Sequence, residues 1–203
     1  MDNYHHLSKL YQKDIEFLRN HFNELILKMI SFKTNLHHYF ETVTEDFLSL
    51  GNDLEFNRDI NSTKYTVDHV NLFVCKAYKI GGLHIDSAGD PRFVSINLPI
   101  MDNDRSQIVW VNPGQYNLGE YDLRDRTIRA GHPVSGALSI GEWEIIDKAN
   151  FGVPTIIRVN HWHSIDNRFN PQPRVALAIR LAKNPSFEEV VSELRQKQLI
   201  GGG

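Results

Sequence analysis

Two side chains that commonly bind metal ions stand two residues apart in His84-Ile85-Asp86. On a β-strand, residues i and i+2 point to the same face, so the imidazole and the carboxylate can reach one ion. A third ligand must come from elsewhere in the chain, and we predict that it is His163. Two imidazoles and one carboxylate on one face of an octahedron leave three positions open. This arrangement suits a non-haem iron(II) centre that binds further ligands.

The choice of the third ligand has one rival. His161 precedes His163 by two residues, so both histidines share one face wherever this segment is extended. The spacing alone therefore leaves His161 open as the distal ligand.

An arginine at the start of a later segment, Arg174, suggests what the open metal positions hold. The segment alternates, with one continuous apolar face that we expect to pack against a helix. The other face places two alanines between two arginines, which leaves space beside each guanidinium. A guanidinium in such a slot can bind a carboxylate through two parallel hydrogen bonds. We predict that Arg174 binds one end of a dicarboxylate whose other end lies at the metal, with Arg180 as the second choice.

The periodicity of the sequence predicts the elements that position these residues. Apolar residues recur at three- and four-residue spacing from Ser8 to Ile30, which indicates an amphipathic helix, and a second helical stretch is predicted over His37–Leu50. From Tyr65 to Leu181 the chain consists of short β-branched and aromatic runs separated by turn residues. A C-terminal helix is predicted over Ser186–Leu199, with Ser186 as its N-cap.

Together these elements predict one domain over residues 1–203, mainly β, with a helical N-terminal segment over 1–60, a β core over 65–182 and a short helix over 186–199. Many short strands after a helical segment favour an antiparallel sandwich or barrel with the N-terminal helices packed on one sheet. Residues 114–143 form a long excursion that we expect to act as a lid or binding loop.

Composition narrows the functional class. Hydrophobic residues make up 41% and charged residues 23% of the chain, with a formal net charge of -3. This small charge does not favour a nucleic acid or an anionic membrane surface as a partner. The single cysteine excludes an intramolecular disulfide and a multi-cysteine zinc site, and it is typical of a reducing cytoplasm. We therefore expect a cytoplasmic protein that binds neither nucleic acid nor membrane.

The predicted ligands and arginine resemble the pattern of the 2-oxoglutarate/iron(II)-dependent oxygenases. That pattern is H-x-D, a long gap, a distal histidine and an arginine about ten residues later; here it is His84-x-Asp86, His163 and Arg174. The stretch GGLHIDSAGDPRFVSINLPI is similar to the family's metal strand and the strand that follows it. VNHWHSIDNRFNPQPRVALAIR resembles the distal-histidine turn and the arginine strand. The resemblance spans roughly Val70–Leu181 and is nearest to small bacterial and phage members, including aspartyl/asparaginyl hydroxylases.

The resemblance implies a double-stranded β-helix, or jelly-roll, core and an enzyme that uses iron(II), 2-oxoglutarate and dioxygen. It implies that a C–H bond of a small molecule or of an amino-acid or peptide side chain is hydroxylated while 2-oxoglutarate becomes succinate and carbon dioxide. The carboxylate at Asp86 favours hydroxylation over halogenation, because the halogenating branch has a small residue there. The match of S-I-D-N to the family's turn favours His163 over His161 as the distal ligand.

The sequence departs from the family pattern at two positions. Ala176 stands where many members have a serine that gives the cosubstrate a second hydrogen bond, and Trp162 stands where proline is frequent. Asn97, one strand after the metal strand, is a further residue expected to face the pocket.

Two other functions remain open from the sequence. The first is a cupin-type metal-binding jelly roll built on His161-x-His163, which leaves the carboxylate of Asp86 without a role. The second is a non-enzymatic β-sandwich binding module. The substrate and the oligomeric state do not follow from the sequence.

Overall fold

The computed structural model describes residues 2–32, 38–80, 86, 93–101, 104–112 and 144–201. The predicted ligand His84 and the whole of the 114–143 excursion lie outside the described residues.

The described strands form two antiparallel sheets, as the sequence predicts. A six-stranded major sheet has the order β1-β7-β4-β9-β3-β2, and a three-stranded minor sheet has the order β6-β5-β8. The strands are β1 (Tyr4–His6), β2 (His38–Thr42), β3 (Val67–Cys75), β4 (Val94–Pro99), β5 (Gln107–Asn112), β6 (Glu144–Asn150), β7 (Thr155–Arg158), β8 (His163–Asp166) and β9 (Arg174–Leu181).

Strand β9 lies at the centre of the major sheet, and all eight of its residues are buried. It pairs with β4 on one side and β3 on the other, so Ala178 lies between Asn97 and Asn71. The register also sets Cys75 of β3 opposite Arg174. Because side chains alternate along a strand, the polar residues of three strands meet on one face of this sheet.

The opposite face of the major sheet is apolar and carries the helices. These are α1 (Gln12–His21), α2 (Asn23–Ser31), α3 (Thr44–Ser49), α4 (Glu55–Asn61) and α5 (Phe187–Gln196). The apolar residues of β9 share one core with buried helix residues such as Leu18, Met29 and Phe47. The predicted packing of the N-terminal helices on one sheet is therefore confirmed.

The N-terminal segment is less helical than predicted. The expected helix over Ser8–Ile30 is two helices, because the backbone leaves the helical conformation at the buried residue Phe22. Within the stretch His37–Leu50, the predicted helix is confirmed for α3 and was wrong for His38–Thr42, which is strand β2. The apolar spacing of this stretch fits both a helix and a strand. Antiparallel pairing with β3 stabilises the strand, and the rings of Phe40 and Phe73 are in contact across the pair.

The predicted C-terminal helix is confirmed and is tied to the major sheet. Ser186 and Glu189 form a capping box at its first turn. Arg158 at the end of β7 donates to the Glu188 carboxylate at 2.5 Å and lies 4.5 Å from the centre of the Phe187 ring. In the part of the chain that the structure describes, no helix has the length and apolar character to cross a membrane.

Candidate active site

A cavity of about 60 Å³ lies between the two sheets. Since one ordered water needs about 10–15 Å³ by this measure, it has room for several water-sized groups. The major sheet contributes most of the polar lining residues, His163 of the minor sheet and Asp86 of a turn add to them, and the remaining lining is apolar. The polar lining residues are Cys75, Asp86, Ser95, Asn97, His163, Arg174 and Arg180, and the apolar ones include Phe73, Ile108, Phe151, Ile157, Val159 and Ile165.

Three of the four predicted site residues line this one cavity, although they are far apart in sequence: Asp86, His163 and Arg174. The fourth, His84, lies outside the described residues. Among the described residues, no three His, Cys, Asp or Glu side chains form a cluster that could hold a metal ion. The described part of the predicted iron site is therefore the pair of Asp86 and His163.

Asp86 is placed by a backbone contact with the end of β7. Its N–H donates to the carbonyl of Val159 at 3.0 Å, and the Val159 N–H donates to the carbonyl of Phe93 at 3.1 Å. One carboxylate oxygen, Oδ1, lies 3.9 Å from Nε2 of His163. The other oxygen, Oδ2, accepts a hydrogen bond from Arg180.

His163 begins strand β8 and is only 3% exposed. Its Nδ1 lies 2.7 Å from the carbonyl oxygen of His161. A carbonyl oxygen only accepts, so Nδ1 must carry a proton, and in the neutral imidazole the lone pair is therefore on Nε2. This is the tautomer of a histidine that ligates a metal through Nε2, with its other nitrogen held by an outer hydrogen bond.

His161, the rival ligand, does not line the cavity. It precedes β8, and its Nδ1 lies 3.1 Å from Oδ1 of Asn3. Burial and the nearby Arg158 guanidinium lower the pKa of its imidazole. Because the segment is not extended through both histidines, their side chains do not share a face as the spacing suggested.

Arg174 is a buried cation at one end of the cavity. It is 2% exposed, and burial lowers the pKa of its guanidinium to about 10, so it is still charged at neutral pH. The guanidinium lies 4.0 Å from the centre of the Phe151 ring, and Nη2 donates to Oδ1 of Asn97 at 3.5 Å. No described carboxylate forms an ion pair with it, and the Asp166 carboxylate pairs instead with Arg168 at 3.0 Å.

Three buried polar atoms at the cavity have no hydrogen-bond partner among the described residues. They are Nε of Arg174, Nδ2 of Asn97 and Oγ of Ser95. A buried polar atom without a partner costs free energy, so native proteins rarely leave several together. Two donors and a hydroxyl around one space indicate a site for a polar, anionic molecule.

Sequence reasoning missed three residues of this cavity. Ser95 lies two residues before Asn97 on β4, so the alternation of side chains along a strand places both on one face and could have found Ser95. Phe151 and Cys75 gave no signal, since only the pairing of the strands brings them to Arg174. Burial raises the pKa of the Cys75 thiol to about 11, although Arg174 opposes this shift, so the thiol is neutral at pH 7.

Comparison with known proteins gives a match in fold only. No family model and no curated protein matches the sequence. Among solved structures, the non-heme alpha ketoglutarate dependent carbocyclase SnoK from nogalamycin biosynthesis matches with a TM-score of 0.55 and 13% identity, covering 88% of this chain and 79% of that chain. The epimerase SnoN in complex with Fe3+, alpha ketoglutarate and nogalamycin RO matches with a TM-score of 0.52, 12% identity and coverage of 89% and 78%.

EctD from S. alaskensis with bound Fe also matches, with a TM-score of 0.51 and 12% identity over 89% of this chain and 72% of that chain. Identities this low establish a shared fold. The chain thus has the jelly-roll fold of the 2-oxoglutarate/iron(II) oxygenases, and the predicted fold class is confirmed.

Proposed function

We propose that this chain is an iron(II)- and 2-oxoglutarate-dependent oxygenase that hydroxylates a C–H bond. The observation that carries the proposal is one cavity in which a carboxylate–imidazole pair, Asp86 and His163, lies with the buried guanidinium of Arg174, which has no carboxylate partner among the described residues. These are the two kinds of group that a metal ion and a cosubstrate dicarboxylate require. The fold shared with SnoK, SnoN and EctD supports the same assignment.

The described donor atoms fit a metal ion. Metal bonds to imidazole nitrogen or carboxylate oxygen are about 2.0–2.2 Å long, so two donors on one face of an octahedron lie about 3.0 Å apart when an ion is bound, and the present separation must shorten by about 1 Å. Oδ1 of Asp86 and Nε2 of His163 are 3.9 Å apart, and the tautomer of His163 leaves its lone pair on Nε2. The third ligand in this proposal is His84, from its position two residues before Asp86.

The orphaned polar atoms fit a bound carboxylate. Arg174 presents a charged donor, Nε, that has no described partner, and Asn97 presents its amide N–H in the same cavity. A carboxylate bound there would neutralise the cation and satisfy both donors. Asn97 would then supply a second hydrogen bond at the site where Ala176 offers none.

Different residues of the cavity bind the metal, bind the cosubstrate and exclude water. When bound, the iron centre and 2-oxoglutarate supply the oxidising chemistry: with one dioxygen and one substrate C–H bond, they yield succinate, carbon dioxide and an alcohol. Arg174 and Asn97 bind and orient the cosubstrate, and Asp86 and His163 hold the metal. The apolar wall of Ile108, Ile157, Val159 and Ile165 keeps water from the reacting groups.

The type of oxidation and the substrate class belong to the proposal as well. SnoK is named a carbocyclase and SnoN an epimerase, so this fold is compatible with outcomes other than hydroxylation. The carboxylate at Asp86 favours hydroxylation over halogenation, and the proposed substrate is a small molecule or an amino-acid or peptide side chain.

The proposal is tested by cosubstrate turnover. Purified protein with iron(II), ascorbate and 2-oxoglutarate is expected to release succinate slowly without any added substrate, through uncoupled turnover. Succinate is measured by chromatography, with metal-free protein as the blank. Iron binding without any binding or consumption of 2-oxoglutarate would contradict the proposal and favour the cupin alternative. Failure to bind iron at all would favour the non-enzymatic binding module.

A matched pair of histidine variants tests the assignment of the distal ligand. His163→Ala is expected to weaken metal binding by more than about 100-fold, because removing a ligand costs more than the 10–100-fold typical of an outer hydrogen-bond partner. His161→Ala keeps the backbone carbonyl that holds His163 and should change metal affinity less than about threefold. Titration calorimetry with manganese(II) measures both, and the opposite ranking would transfer the ligand role to His161.

A further inference from the structure

The two oxygens of Asp86 face different partners. Oδ2 accepts a hydrogen bond from Nη2 of Arg180, whereas Oδ1 is the oxygen that lies 3.9 Å from Nε2 of His163. The carboxylate is thus oriented so that one oxygen meets a guanidinium and the other meets the imidazole with which it would share a metal ion.

Arg180 lies in regular secondary structure, whereas the residue it contacts does not. It lies on central strand β9, its side chain is 11% exposed, and Nη1 also donates to the carbonyl of Val94 at 3.4 Å. Asp86 lies in a turn, outside the regular strands. The strand therefore determines where the guanidinium is, and the guanidinium determines how the carboxylate of Asp86 is rotated.

We propose that Arg180 is a positioning residue that makes Asp86 a metal ligand through Oδ1 alone. This inference rests on the proposed function, since it needs a metal at Asp86 and His163. A charge-assisted hydrogen bond to Oδ2 keeps that oxygen off the metal. A carboxylate that binds through one oxygen occupies one coordination position rather than two, which preserves the positions that the cosubstrate and dioxygen need.

The same geometry removes Arg180 from the cosubstrate site. Its guanidinium is committed to Asp86 and to the Val94 carbonyl, while Arg174 has no described carboxylate partner. Arg180, the second choice for binding the dicarboxylate, is therefore assigned in this inference to the metal ligand Asp86 instead.

The test measures metal binding rather than turnover. Manganese(II) affinity of the full chain is measured by titration calorimetry for the wild type, Arg180→Met and Arg180→Lys. Loss of an outer-shell partner commonly costs 10–100-fold in metal affinity, so Arg180→Met should bind about 10–100-fold more weakly. Arg180→Lys should fall between the two, since it keeps the charge but loses the planar donor group, and it carries the test should Arg180→Met not fold.

Arg168→Met is the matched control. Like Arg180→Met, it removes an arginine–aspartate ion pair, here the pair of Arg168 with Asp166. Neither of these two residues lines the cavity. It should bind manganese(II) within about threefold of the wild type, which is the range expected when no outer-shell contact to the metal is lost.

A spectroscopic readout separates positioning from a general loss of structure. Cobalt(II)-loaded Arg180→Met should show a visible spectrum altered in shape and intensity, because Asp86 is then able to bind through both oxygens. Arg180 variants that keep wild-type affinity and the wild-type cobalt spectrum would overturn the inference and leave the proposed function intact. A wild-type protein that binds neither metal would overturn both.

Discussion

Strand β9 has an arginine at each end of one face, and the two are partnered differently. Six residues of extended chain, about 20 Å, separate their backbones. Arg174 is 2% exposed and Arg180 is 9% exposed, so both cations are buried beside the same cavity. Arg180 donates to the carboxylate of Asp86, whereas Arg174 contacts the neutral groups Phe151 and Asn97.

Arg174 and Arg180 share residue type, strand face and burial, so these properties do not determine the role of either cation. Desolvating a guanidinium is costly, and a protein carboxylate or a bound anion must offset the cost. At Arg180 the chain provides that carboxylate itself. At Arg174 the described chain provides none, and the pKa of that guanidinium is lowered by burial as a consequence. The unneutralised arginine is the one expected to bind a ligand.

The largest expected effect that follows from this comparison is on cosubstrate binding. Arg174→Met should weaken 2-oxoglutarate binding to the manganese(II)-loaded protein by at least about 30-fold, because losing one partner of a buried charged pair costs about 2–5 kcal/mol or more. Titration calorimetry measures the affinity. The manganese(II) affinity of this variant should stay within about threefold of the wild type. Loss of both manganese(II) and 2-oxoglutarate binding would contradict the separate roles proposed for the two arginines.

The second effect is on the free energy of unfolding of the ligand-free protein. Substitution of the two arginines should change it in opposite directions. Arg180→Met should lower the free energy of unfolding by about 3 kcal/mol, because it leaves the Asp86 carboxylate without its cation. Arg174→Met should raise it by about 1 kcal/mol, or about 2–4 °C in Tm for a chain of this size, because it removes a buried cation without a described counter-ion. Urea denaturation without metal measures both changes, and destabilisation of similar size by both variants would contradict the comparison.

The smallest effect concerns Asn97, the neutral partner of Arg174. Asn97→Ala should weaken 2-oxoglutarate binding by about 10-fold, which corresponds to the roughly 1.5 kcal/mol of one hydrogen bond to a charged group. Asn97→Asp should weaken it much more, because a carboxylate at this position would neutralise Arg174 in place of the ligand. Equal affinities of the wild type and Asn97→Ala would show that the unpartnered amide N–H does not contact the cosubstrate.

Most of the β core was predictable because its strands have a strong local signal. The alternation along β9 predicted both its apolar face and its polar face, and burial of all eight residues agrees with a strand covered on both sides. The N-terminal segment was harder to predict, because the apolar spacing around Phe40 and Phe47 fits a helix and an edge strand equally well. Pairing with β3, a contact between distant residues, selected the strand.

For the candidate site, the sequence by itself determined which residue types could do chemistry. It provided the H-x-D pair, the histidines at positions 161 and 163, and an arginine beside small side chains on one strand face. These signals are local, since they depend on spacing and on the alternation of side chains along a strand.

Tertiary structure alone decided how these residues are partnered. Only the packing of the two sheets brings Asp86 to His163, turns His161 toward Asn3 and places the Phe151 ring on Arg174. It also decided that Asp86 pairs with Arg180 and not with Arg174, which gives the two arginines of one strand face different partners. The physical reason is that partners of buried charges come from other strands, at separations that no local pattern in the sequence records.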